Sequence, residues 1–85
     1  MHEHTAVRPA TPDDAAQLAV LLDQFDGAGA TPAQVAARMQ ACAHVLTTYV
    51  AESDGTLAGF ACLRLVPHLQ GDAPYAELTD LYVDP

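Results

Sequence analysis

The sequence predicts an α+β fold in the order β-α-α-β-β-β, a mostly antiparallel four-stranded sheet with two helices packed on it. Three observations carry this. Thr11-Pro12 and Thr31-Pro32 each open an apolar stripe at helical spacing. Asp54-Gly55 joins two runs rich in β-branched, aromatic and aliphatic residues. The last such run, 75–83, carries Glu77 and Asp80 among apolar neighbours and reads as a strand.

The elements follow in order. Thr5 to Pro9 is a short strand anchored by Val7, and Pro9 holds Arg8 extended. Thr11 caps the first helix, Pro12 suits its first position, and Asp13 and Asp14 complement the positive end of its dipole. Ala15, Leu18, Leu22 and Phe25 form its apolar face, widened by Val20 and Leu21. Asp26-Gly27-Ala28-Gly29 stops it, with Gly27 as a left-handed cap. Thr31 and Gln34 can form a capping box for the second helix, whose stripe is Val35, Met39 and Cys42 and whose end lies near Ala43.

Leu46 to Glu52 and Thr56 to Val66 are the strands of the Asp-Gly hairpin. In the second of them Leu57, Ala61, Leu63 and Leu65 are expected on one face, with Phe60, Cys62 and Val66 on the other. Apolar residues on both faces predict a sheet covered on both sides, at least in part. Gly59 within this strand predicts a bulge or a close backbone approach. Residues 68–74 form a polar loop. In the last strand, simple alternation puts Glu77, Thr79, Leu81 and Val83 on one face and Leu78, Asp80 and Tyr82 on the other, unless a bulge changes the parity.

The 85 residues make one small domain whose 51% hydrophobic content suffices for a core. The net charge is −8, from three arginines, no lysine and eleven acids. Nucleic acid is therefore not expected as a partner, since phosphate binding needs a basic face. An anionic membrane surface is not expected either. A cationic substrate such as an amine is compatible with this charge. Cys42 and Cys62 read as buried free thiols, and with no signal-peptide pattern the expected location is cytoplasmic. His2, Glu3 and His4 could bind a metal, but terminal residues are usually mobile and no third ligand lies close in sequence, so no metal is expected. His44 and His68 stand alone and read as surface or packing residues.

On particular stretches the chain resembles the N-terminal half of the GCN5-related N-acetyltransferases (GNAT). These are the opening Val7-Arg8-Pro9-Ala10-Thr11-Pro12-Asp13-Asp14 and the strand Leu57-Ala58-Gly59-Phe60 after its Asp-Gly turn. The ending Glu77-Leu78-Thr79-Asp80-Leu81-Tyr82-Val83-Asp84-Pro85 is similar to the family's fourth strand. The resemblance runs over nearly the whole chain. It implies a truncated acyl-CoA N-acyltransferase (GNAT) fold, with residues 1–85 as the N-terminal half of the domain.

It also implies acetyl-CoA as co-substrate and a small-molecule or peptide primary amine as acceptor. Main-chain groups at Leu81, Tyr82 and Val83 would hold the pantetheine arm and the acetyl carbonyl, with the N–H groups of Leu81 and Val83 stabilising charge on the oxygen. Glu77 would serve as general base for the amine; without the resemblance it reads as a polar residue on a partly solvated face. Asp80 lines the substrate side or caps a neighbouring loop, and Tyr82 reads as a packing aromatic. The helix pair and the 26–30 loop would shape the acceptor side.

The family's glycine-rich turn, which cradles the pyrophosphate at a helix N-terminus, does not appear before the sequence stops at Pro85. Two functions are thus expected. One is an N-acetyltransferase of which this is the N-terminal portion. The other is a non-catalytic GNAT-like dimerisation or binding module. The 85-residue chain alone is expected to be inactive and to form a homodimer through its exposed fourth strand.

Overall fold

The computed structural model describes residues 5–27 and 29–85. His2, Glu3 and His4 lie outside the described residues. The chain forms β1 (Thr5–Pro9), α1 (Ala15–Asp26) after a 3-10 turn at Pro12–Asp14, α2 (Pro32–Cys42), β2 (Leu46–Ser53), β3 (Thr56–Val66) and β4 (Tyr75–Val83). The strands lie in the order β1-β2-β3-β4, every pair antiparallel. The meander of the last three strands and the edge position of β1 are therefore as expected.

Local chemistry sets the boundaries. Gly27 sits at φ 71° and its N–H donates to the Asp23 carbonyl at 2.8 Å, closing α1 with a left-handed cap. At the start of α2, the Gln34 N–H donates to Thr31 Oγ1 at 3.1 Å and the Thr31 N–H to Gln34 Oε1 at 2.9 Å, completing the capping box. Asp54 and Gly55 take φ values of 52° and 83° in the hairpin turn, where only a small polar residue and glycine adopt positive φ without much strain.

The core lies between the two helices and one face of the sheet. Ala15, Leu18, Ala19 and Leu21 of α1 and Val35 of α2 meet Val50, Leu57, Phe60 and Cys62. Burying a leucine or phenylalanine of this kind contributes about 1.5–3 kcal/mol. Val20 is not part of this face: it is 57% exposed, because helical geometry turns the small Ala19 inward instead and lets α1 approach the sheet closely. Cys62 is buried, whereas Cys42 is only half-buried at the end of α2.

Leu57 also departs from simple alternation. The pairing of β2 with β3 shifts between Ala51 and Glu52, leaving Ala58 as an extra residue. This bulge returns Leu57 to the helix face beside Phe60. The Leu57 N–H then bonds to Gln17 Oε1 of α1 at 2.8 Å, so the irregular backbone keeps its partner.

Arg8 also lies on the helix face, opposite Val50. Its two terminal nitrogens hold both carboxylate oxygens of Asp14 at 2.8 and 2.9 Å, and a third contact reaches Glu52 at 3.3 Å. The expected cover on both sides of the sheet is not found among the described residues. Both helices lie on one face. On the other face Val7 is 72%, Leu81 60% and Val83 68% exposed. No helix among the described residues is long and apolar enough to cross a membrane.

Candidate active site

The last strand is bent by a second bulge. Leu63 pairs with Leu78 and Cys62 with Asp80, so Thr79 has no partner on β3. The Thr79 hydroxyl lies within 3.3 Å of both the Cys62 carbonyl and Asp80 Oδ2. The extra residue corrects the expected parity. Glu77 does not share a face with Leu81 and Val83. It pairs with Arg64, Asp80 pairs with Cys62 and Tyr82 with Phe60, so Glu77, Asp80 and Tyr82 all lie on the helix side. Their half-buried state against exposed neighbours records the same arrangement.

Each of the three side chains has its own surroundings. Glu77 Oε1 accepts from Arg64 Nη2 at 2.7 Å, an exposed cross-strand ion pair. Such a pair orients the carboxylate while adding little to stability. Asp80 meets no basic side chain among the described residues. Tyr82 packs its ring 5.7 Å from Phe25 and 6.1 Å from Phe60, and its hydroxyl donates to Gln24 Oε1 at 3.1 Å. It ties the end of α1 to β4 as a packing aromatic.

The main chain at the end of β4 has a defined polarity. The Asp84 N–H donates to the Ala58 carbonyl at 2.7 Å, which makes this a bonded pair. Bonded and non-bonded pairs alternate along an antiparallel ladder. Tyr82, two residues back, therefore turns its main-chain groups toward β3. Leu81 and Val83 turn theirs to the outer edge, which has no partner strand among the described residues. Gly59 makes this close pairing possible. A Cβ there would stand 2.6 Å from the Tyr82 carbonyl oxygen and 3.3 Å from Val83 Cα.

A cleft of about 290 Å³ opens between the helices and the sheet on the same side. Its walls are apolar, with Leu18 and Leu22 from α1, Met39 and Cys42 from α2, and Phe60 and Cys62 from the floor. Asp80 and Arg38 are its only charged lining residues among those described. Glu77 sits one row of the sheet beyond Asp80. Burial pushes the Cys62 thiol up, against the hydrogen-bonding contact with Thr48, so it stays protonated and is no nucleophile. Of the 26–30 loop, the described residues Asp26, Gly27, Gly29 and Ala30 do not line this cleft.

Sequence reasoning missed Arg64 as the partner of Glu77 and the cleft that joins Asp80 to Arg38. The first depends on a register that only the Thr79 bulge sets. The second depends on how α2 lies across β2. The sequence allows for a bulge in this strand but does not place it.

The fold has counterparts among known proteins. Residues 15–85 match the family described as the acetyltransferase (GNAT) family. No functionally curated protein sequence matches the chain. Among solved structures, aminoglycoside N-acetyltransferase AAC(6')-Iy in complex with CoA is similar at TM-score 0.79 and 19% identity, over 100% of this chain and 59% of that one. The ribosomal-protein-alanine N-acetyltransferase of Brucella melitensis biovar Abortus 2308 is similar at TM-score 0.80 and 20% identity, over 94% and 57%. An acetyltransferase of Trypanosoma brucei is similar at TM-score 0.82 and 20% identity, over 96% and 61%. The chain thus spans about three fifths of the length of these structures. With the family match covering all but the first strand and the turn after it, the chain belongs to the acetyltransferase (GNAT) family.

Proposed function

We propose that residues 1–85 are the N-terminal portion of a domain that transfers the acetyl group of acetyl-CoA to a primary amine. The observation that carries this reading is the placement of two carboxylates, Glu77 and Asp80, on one side of a strand whose Leu81 and Val83 main-chain groups face its open edge. The similar AAC(6')-Iy structure is a complex with CoA, which supports the co-substrate. The span of three fifths supports a site completed by further chain, which would supply the pyrophosphate contacts.

Acetyl-CoA, when bound, supplies a thioester whose acetyl carbon forms a bond to the amine nitrogen as its bond to sulfur breaks, CoA leaving as the thiol. The residues here would prepare that exchange. An amine arrives as an ammonium and cannot attack until it loses a proton. Glu77, oriented by Arg64, would accept that proton directly or through one water. The Leu81 and Val83 N–H groups would donate to the carbonyl oxygen as charge grows on it. The acceptor would be a small-molecule or peptide amine, and the proposed setting is the cytoplasm.

Acetyl transfer from labelled acetyl-CoA to a panel of amines tests this on the full encoded polypeptide. Transfer is expected there, with a fall of about 10²-fold in Glu77→Gln, on the scale of general-base catalysis. The 85-residue chain alone is expected to give none. Failure of the full polypeptide to acetylate any amine would overturn the reading.

The bare apolar face and the open edge of β4 favour a second reading, a non-catalytic module that forms a homodimer through this strand. In that case the chain self-associates, and no acetyl-CoA binding is measured by calorimetry on the full polypeptide.

A further inference from the structure

We infer that the cleft between the helices and the sheet takes the body of the acceptor, and that this acceptor is a small apolar amine with a single positive charge, its ammonium held by Asp80. The inference rests on the acetyltransferase reading and names its substrate class.

Three observations converge. The cleft walls are almost wholly apolar, and a volume of about 290 Å³ lies at the small end for ligand pockets. Such a space suits one ring or a short branched chain, and would leave the hydroxyls of a sugar without partners. Among the described residues Asp80 is the one carboxylate lining it, and only the Thr79 hydroxyl is within hydrogen-bond reach of it. Glu77 Oε1 already pairs with Arg64, whereas Asp80 meets no basic side chain among the described residues, so Asp80 holds the ammonium and Glu77, one row beyond, takes its proton through a water. Arg38, which forms no ion pair among the described residues, lines the same cleft. A guanidinium there repels a second positive charge, so a diamine or polyamine is disfavoured where a monoamine is accepted. Asp80 thereby acts as a specificity residue beside the proposed base.

The test is an amide-shift NMR titration of the protein with 2-phenylethylamine, its neutral counterpart 2-phenylethanol, and spermidine. With 2-phenylethylamine, shifts are expected at Met39, Cys42, Leu46, Cys62 and Asp80. 2-Phenylethanol is expected to bind at least about 10-fold more weakly, on the scale of one charge-assisted hydrogen bond. That comparison needs no variant. Asp80→Asn should remove most of the difference between the two, and Arg38→Ala should strengthen spermidine relative to 2-phenylethylamine. Equal binding of amine and alcohol, absence of shifts in the cleft, or spermidine binding as well as the monoamine would overturn the inference. Acetylation of polyamines by the full polypeptide would sink this inference and leave the proposed activity standing. Binding of 2-phenylethylamine in the cleft with no acetylation of any amine would do the reverse.

Discussion

Arg8 shows how far one side chain can reach. It stands on β1, closes both oxygens of Asp14 in a fork, and touches Glu52 on β2. Asp14 also accepts from the Thr11 N–H at 2.7 Å, so its buried charge is fully engaged. The Arg8 guanidinium holds the Asp14 carboxyl down to about 2 from an ordinary 3.8, against the opposing pull of burial. Asp14→Asn keeps the shape and removes the charge, and should cost about 2 kcal/mol at neutral pH, the scale of a hydrogen bond to a charged group. Urea unfolding measures this. The unfolded chain takes up the proton first as pH falls, so the Asp14 contribution is whole above its ordinary 3.8 and disappears as pH falls through about 2. The gap between wild type and variant should therefore close in that acid window.

At the scale of elements, the close approach of β3 and β4 depends on Gly59. Gly59→Ala would put a Cβ against the Tyr82 carbonyl at 2.6 Å, a main-chain atom that has no rotamer to escape into. Its expected cost is about 1–3 kcal/mol, as for other overpacked sites. A lower melting temperature and faster amide exchange at Asp84, whose N–H bonds to Ala58, would register it. The Gly27 cap, the Thr31–Gln34 box, the Asp-Gly turn and, to within one residue, the ends of the four strands were legible in the sequence, because each is decided within a few residues. Thr11-Pro12 instead opens a 3-10 turn, and α1 starts at Ala15. The faces of β3 and β4 were not. Leu57 and Glu77 were placed by alternation, and a bulge in each strand moved them across. A bulge is settled by what the strand pairs with, and the residues of a single strand do not encode that. The Arg64–Glu77 pair was hidden for the same reason, and the Asp80 cleft because it depends on how α2 lies across β2. Gly59 was the local residue that announced the irregularity.

The whole molecule is flat. Its radius of gyration is 14.0 Å, above the roughly 12 Å expected for a compact domain of this length. Its shortest extent is 21 Å, room for one layer of helices on one sheet. The face away from the helices offers water Val7, Leu65, Leu78, Leu81 and Val83. A shallow hollow lies over Gly59, where no side chain fills the surface. An apolar patch of this kind on a small chain calls for a cover. Sedimentation of the 85-residue chain should show a species heavier than the monomer. The double substitution Leu81→Glu with Val83→Glu should shift it toward the monomer and leave the helix-side core untouched. A wild-type monomer at high concentration would count against this.

Thr79 has a further consequence for how such contacts grow. An unbroken strand edge is a template: each added strand presents a new edge like the last, and fibres lengthen without a natural stop. The extra residue spoils that repeat, because the outward N–H and carbonyl groups before Thr79 fall out of step with those after it. Only a partner of matching shape seats along the full length, and stacking ends there. Deleting Thr79 would keep Glu77, Asp80 and Tyr82 on one side yet straighten the edge. Thioflavin fluorescence should then rise on incubation well above that of the unaltered chain. The same bend that aims the strand of the proposed site would thus also act as a chain terminator for aggregation.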